Sequence, residues 1–234
     1  MIYGQTDVGN IRTLNEDSFY FETTPKGYMI VVADGMGGHN GGEIASKLAV
    51  DSVRDFMSKN DIFADPEVAL RQAIKYANDA VYRLASQQSE LSGMGTTLVL
   101  AVGNEKSICV ANVGDSRAYL VSRKQITQVT KDHSFVNELV KKGVLTKEEA
   151  KNHPKSNIIL KALGIEPDVY PDIFLLEKKR NDKVLLCTDG LSGMVSDKEI
   201  LDVISKFNKK NACSELVRLA KENGGVDNIT VVIG

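Results

Sequence analysis

The sequence predicts an α+β fold: antiparallel β-sheets with two separate helix pairs packed on their outside. Three observations lead there. Strand-like apolar runs recur along the chain, and several are apolar on both faces, as in sheets buried between other layers. The helical patterns fall into two blocks far apart in sequence, rather than alternating singly with strands as a doubly wound parallel sheet requires. The 234 residues, with no internal repeat, low-complexity tract or Pro/Ser-rich linker, suit one large domain spanning 1–234 that can bury a core without staples.

Runs at 2–6, 18–22 and 28–33 read as the first three strands. The third ends in a Gly-rich turn, Asp34-Gly35-Met36-Gly37-Gly38-His39-Asn40-Gly41-Gly42, which leads into a helix over 42–59. Ala45, Leu48, Ala49, Val53 and Phe56 give that helix one apolar stripe. Asp65-Pro66 supplies an N-cap and a first-turn proline for a second helix, with the seam Leu70, Ile74, Ala77, Val81 and Leu84. Strands follow at 96–102, 107–112 and 117–122, then at 173–177 and 183–188, and last at 229–233. The segment 131–164 differs: it is polar, carries Asp132-His133 and Asn152-His153-Pro154, and has short helix signals such as Thr146-x-x-Glu149. It reads as a flap inserted over one end of the sheets. The second helix block opens with Ser196 and Glu199, a capping-box pair, before the stripe Ile200, Val203, Ile204 and Phe207. A further helix near 212–222 turns Leu216, Leu219 and Ala220 inward.

Charge excludes some classes of partner. With 29 basic and 31 acidic residues the formal net charge is −2, so the chain as a whole carries no nucleic-acid or membrane footprint. Cys109, Cys187 and Cys213 fall in no CxxC or His/Cys pattern; Cys109 and Cys187 sit in apolar runs and read as core thiols, which suits a reducing compartment. No basic-then-apolar leader opens the sequence, and no apolar run approaches the length of a membrane span. The expected address is the cytoplasm and the default state a monomer.

The chemistry lies in five aspartates, four of them at the edges of apolar runs. They are Asp17, Asp34 in VVAD-GMGG, Asp115 in NVGD-SR, Asp189 in LLCTD-G and Asp227 in GGVD-N. A carboxylate in such a place is costly unless positive charge meets it, and no matching set of Lys and Arg lies beside them. Convergence on metal ions is the economical reading. An oxygen-only donor set, without a His or Cys cluster, selects Mg2+ or Mn2+ over zinc. Two such ions activate water for phosphoryl displacement and need no protein nucleophile. Arg12, five residues before Asp17, has the planar fork that matches a phosphate dianion. Each residue also has a plainer reading: Asp34 as a helix-capping residue, Asp115 as a hairpin-turn residue, Arg12 as a solvated surface arginine. A dinucleotide-binding fingerprint fits poorly, because Asn40 stands at the third glycine position of Gly35-x-Gly37.

The set RTLNED, VVADGMGGHNGGEIAS, GMGTTLV, VANVGDSRAYL, LLCTDGLS and GGVDNITVV, in that order over about 2–233, resembles the metal-dependent type 2C (PPM) serine/threonine protein phosphatases in their compact bacterial form. The resemblance implies a four-layer αββα sandwich with the metal site at one end of its two sheets. It implies hydrolysis of phosphoserine and phosphothreonine proteins by a water activated at a pair of Mn2+ or Mg2+ ions, in opposition to a serine/threonine kinase. By position, Asp34 is the carboxylate shared by both ions, Asp189 and Asp227 hold the first, and the Gly35 carbonyl helps hold the second. Asp17 and Glu16 act through water, Arg12 binds phosphate, and Asp115 with Asp189 takes a third, weaker ion. Met36 replaces the histidine that serves as general acid in many eukaryotic members, and His39 is the candidate substitute, with a turn or packing histidine as the plainer alternative. A relative that had lost its metals would serve as a binding module, but this sequence keeps every carboxylate that maps.

Overall fold

A computed structural model describes residues 1–37, 41–151, 153–179 and 181–234. In chain order the strands are β1 (Tyr3–Asp7), β2 (Asp17–Thr24), β3 (Gly27–Met36), β4 (Gly95–Thr96), β5 (Leu98–Gly103) and β6 (Ser107–Val113). They continue as β7 (Arg117–Val121), β8 (Ile126–Gln128), β9 (Asp172–Glu177), β10 (Lys183–Cys187) and β11 (Ile229–Ile233). The helices are α1 (Gly41–Lys59), α2 (Pro66–Gln87), α3 (Phe135–Lys141), α4 (Lys147–Lys151), α5 (Asp189–Ser192), α6 (Asp197–Lys206) and α7 (Lys209–Glu222).

Side-chain alternation along the strands builds the layers. On β3, Met29, Val31 and Ala33 pack with the apolar stripes of α1 and α2, whereas Ile30 and Val32 face the other sheet. On β10, Leu185 and Cys187 pack with α6 and α7, whereas Val184 and Leu186 face the middle. Three apolar clusters therefore separate four layers, helix pair, sheet, sheet and helix pair, as expected from the sequence. One sheet has the order β1-β11-β10-β7-β8 and the other β2-β3-β5-β6-β9, with β4 joined to β3. Every described strand pairing is antiparallel. All three cysteines are buried and free.

The caps at Asp65 and Ser196 form as the sequence predicts: Asp65 Oδ1 accepts from Val68 N at 3.2 Å, and Ser196 and Glu199 make a full capping box. Thr146 and Glu149 make the same exchange at the start of α4. Three features differ from expectation. The strand read as 96–102 is interrupted at Thr97, which leaves the ladder to bind Asp34 (below). β8 was not expected; its residues are mostly polar because it is a short edge strand, paired on one side to β7. Phe207 does not continue the stripe of α6. It is the extended C-cap residue and 40% exposed, because Asn208 starts the next helix by accepting from Asn211 N at 3.0 Å.

Candidate metal centre

Strand register assembles the centre. Asp34, near the end of β3, is the direct antiparallel partner of Asp17, the first residue of β2. The interruption at Thr97 fixes Asp34 from the other side: Thr97 N donates to Asp34 O (2.8 Å), Asp34 N donates to Thr97 Oγ1 (3.0 Å), and Thr96 Oγ1 donates to Asp34 O (2.9 Å). Thr97 Oγ1 also bonds Ser116 Oγ at 2.8 Å, which ties Asp34 to the turn bearing Asp115. Asp189 opens the single turn of α5 directly after β10, and the preceding Thr188 donates its hydroxyl to Asp17 Oδ2 at 2.9 Å. Asp227 stands before β11. Its neighbour Asn228 receives Glu16 N (2.8 Å) and donates to the carbonyls of Val8 (3.0 Å) and Leu14 (2.9 Å), binding the Arg12 loop to the start of β11. Arg12 Nη2 then lies 2.9 Å from Asp227 Oδ2. Gly35 is packed where no side chain fits, since an added Cβ would lie 2.0 Å from Gly42 O and 2.6 Å from Glu16 O.

The electrostatics are those of carboxylates forced together out of water. Burial, followed by repulsion from Asp17, Asp189, Asp115 and Asp227, pushes the Asp34 carboxyl well above its ordinary value. Burial likewise pushes Asp17 and Asp115 up to about 7 and Asp189 to about 6, with neighbouring aspartates adding to each. Glu16 is raised mainly by burial. Asp17 Oδ1, Asp115 Oδ1 and Asp189 Oδ1 are buried without a hydrogen-bond partner. Orphaned oxygens of that kind are rare in folded proteins. Among the described residues, no three His, Cys, Asp or Glu side chains already stand as a closed ion cage. Asp227 faces Arg12 instead. Even so, an all-oxygen donor set with unsatisfied lone pairs fits a hard divalent cation.

The family model described as protein phosphatase 2C matches residues 11–223. The chain belongs to the protein phosphatase 2C family. It is 40% identical over 234 residues to the serine/threonine phosphatase stp of Listeria welshimeri, covering 98% of this chain and 93% of the relative. Its fold superposes on the crystal structure of the serine/threonine phosphatase Stp1 from Staphylococcus aureus with a TM-score of 0.94, at 40% identity, over 99% of this chain and 93% of the other. The catalytic domain of the phosphatase PstP, solved in complex with two manganese ions, superposes with a TM-score of 0.87 at 35% identity, over 100% of this chain and 96% of that one.

The protein phosphatase 2C chain thus brings Arg12, Glu16, Asp17, Asp34, Gly35, Asp115, Asp189 and Asp227 to one end of its sheets. His39 lies outside the described residues. Sequence reasoning missed the supports: Thr96, Thr97, Ser116, Thr188, Asn228 and above all His133. His133 is buried, and its Nδ1 accepts from Gly114 N at 3.1 Å while its own N–H donates to Gly114 O at 2.9 Å. An accepting Nδ1 assigns the ring proton to Nε2, which lies 3.2 Å from Asp172 Oδ2 but too poorly aligned for a full hydrogen bond. Burial lowers its pKa and keeps the ring neutral. Arg117 adds a second tie, with Nε 3.1 Å and Nη2 2.7 Å from Asp132 Oδ2. The start of the 131–164 segment is therefore fastened to the turn that carries Asp115. Expected result: His133→Ala lowers kcat/KM on a phosphopeptide by about 10–100-fold and speeds amide exchange at 113–116 and 132–134, with an unchanged far-UV spectrum. His133→Asn, whose amide oxygen can accept from Gly114, recovers much of both.

Proposed function

We propose that this serine/threonine protein phosphatase works through two divalent ions, Mn2+ or Mg2+, gathered by the five converging aspartates. The observation that carries the reading is the set of buried carboxylates with orphaned oxygens set beside Arg12. Asp34, Asp189 and Asp227 would hold the ions with help from the Gly35 carbonyl, Asp17 and Glu16 would orient their waters, and Asp115 would add a third position. When bound, the ions supply an acidified water and positive charge against the phosphoryl oxygens. The chain's own residues do the rest. Arg12, half exposed at the mouth, turns its guanidinium from Asp227 to two phosphoryl oxygens of the substrate. Thr96 and Thr97 keep Asp34 from recoiling from its neighbours, and Thr188 does the same for Asp17. The segment 131–164, as a flap beside the centre, would meet the protein part of the substrate. We assign phosphoproteins made by a partner serine/threonine kinase as the substrates and the cytoplasm as the place of action; three buried free thiols suit a reducing compartment.

Hydrolysis of phosphoserine and phosphothreonine peptides, abolished by EDTA and restored by Mn2+ or Mg2+, tests this reading. A rate indifferent to chelation contradicts it. Arg12→Ala is expected to raise KM for a phosphopeptide by about tenfold, the loss of one charged hydrogen-bonding partner, and to lower kcat less. Because Arg12 also engages Asp227, the same variant should bind Mn2+ at least as tightly as wild type in calorimetry. Weaker Mn2+ binding would place Arg12 in the support of the metal site instead.

A further inference from the structure

The opposite end of the sheets carries a second constellation, absent from the chemistry above. β6 and β10 run from it toward the aspartates, so it lies a strand's length away, about 20 Å. Here a groove of about 670 Å3 opens between the two sheets, with Leu120 in its lining, Gln125 and Thr127 on one side, and Lys106, Lys178 and Lys179 on the other. β8 and β9 are the outermost strands of their sheets at this groove, so each leaves one edge of its backbone outside the described ladders.

Charge at this end is unbalanced. Lys106, Lys178 and Lys179 line the groove, whereas Lys183 lies outside the lining and donates to Ile204 O at 2.6 Å. By contrast Lys47, Lys59, Lys75 and Lys141, on α1, α2 and α3, each pair with a carboxylate one turn away. Among the described residues, Lys106, Lys178, Lys179, Lys183 and Lys209 take part in no ion pair. The lining sets two acids against its three lysines: Asp182, which accepts the backbone N–H of Lys179 at 2.9 Å, and Glu177. Cations held together in this way favour an anion, and an open strand edge favours an extended chain.

We propose that this groove docks an extended acidic segment of a phosphoprotein substrate, laid along the open edge of β8 with its carboxylates on the lysine cluster. The assignment to a substrate rests on the phosphatase reading. The slot is concave, and a flat anionic membrane would meet only its rim. A segment reaching it from the metal centre needs at least about six extended residues between it and the phosphosite to cover the distance.

The probe is a fluorescein-labelled dodecapeptide alternating glutamate and valine, which places every carboxylate on one face when extended. Its binding to wild type should weaken with salt and fall at least about tenfold in K106E/K178E/K179E. Joined to a phosphothreonine peptide by a flexible linker, the same segment should lower KM several-fold for wild type and not for the variant. p-Nitrophenyl phosphate hydrolysis by both proteins checks the phosphatase reading separately and should be equal. The proposal is overturned if the probe does not bind, if it binds the variant as well as wild type, or if phosphatidylglycerol vesicles bind the lysine cluster and the peptide does not.

Discussion

Asp34→Asn abolishes turnover and, in the absence of metal, makes the protein more stable. Both effects have one cause. Asp34 sits buried among four other aspartates, all of which raise the cost of its charge or share its cluster. Removing that charge deprives the ions of the carboxylate proposed to serve both. Loss of several kcal/mol of Lewis-acid stabilisation corresponds to a fall in kcat of about a thousandfold or more. Without ions the same charge is only repelled. An amide of the same shape can donate to Asp189, whose side chain lies within hydrogen-bonding reach. A gain of about 2 kcal/mol is of the size seen when a buried charge is replaced, and it raises the Tm by about 4–8 °C in a chain of this size. Circular-dichroism melts in EDTA, set beside phosphopeptide kinetics in Mn2+, check the two halves together. A variant that is inactive and also less stable without metal would assign Asp34 a structural role.

The second large effect is an inverted pH dependence of stability. Unfolded aspartates titrate near 3.8, whereas Asp17 and Asp115 do so at about 7 and Asp189 at about 6 in the folded chain. Between those limits the folded state binds more protons than the unfolded one, so its stability falls as pH rises. The contribution is intact below about pH 4 and is lost as pH rises through the folded values of about 6 and 7. His133 works in the opposite direction, because its folded pKa is lowered and it must charge on unfolding in acid; it is one group against four aspartates, Asp34 included. The metal-free protein should therefore melt at higher temperature at pH 5.5 than at pH 7.5. Mn2+ should raise the Tm strongly at pH 7.5 and weakly at pH 5.5, where protons compete for the same oxygens. Equal metal-induced shifts at the two pH values would mean that the ions bind elsewhere.

Much of this centre was legible in the sequence, for a physical reason. A carboxylate beside glycine at the end of an apolar strand violates the local logic of burial, and it does so wherever it occurs. Asp34, Asp115 and Asp189 could thus be singled out without knowing their distances, and Asp227 by standing just before an apolar strand. The helix stripes and caps were legible because their period and hydrogen bonds are local. The supports were not. Thr97 bonds Asp34 across 63 positions and Asn228 receives Glu16 across 212, and neither residue breaks a local pattern. His133 lay in a segment recognised only as polar, and its partner Gly114 belongs to another strand pair. β8 escaped because an edge strand needs little apolar character. Phe207 was misplaced because the helical period runs on past Lys206, while the cap at Asn208 ends the helix first.

The most direct measurement is calorimetric titration of metal-free protein with Mn2+ near pH 6.5, in two buffers of different ionisation enthalpy. Carboxylates that share protons must release them when cations arrive. The expected result is tight binding of two ions per chain with net proton release, and loss of both in Asp34→Asn. Absence of Mn2+ binding, or binding without proton release that persists in Asp34→Asn, would contradict the convergence of these aspartates on divalent cations.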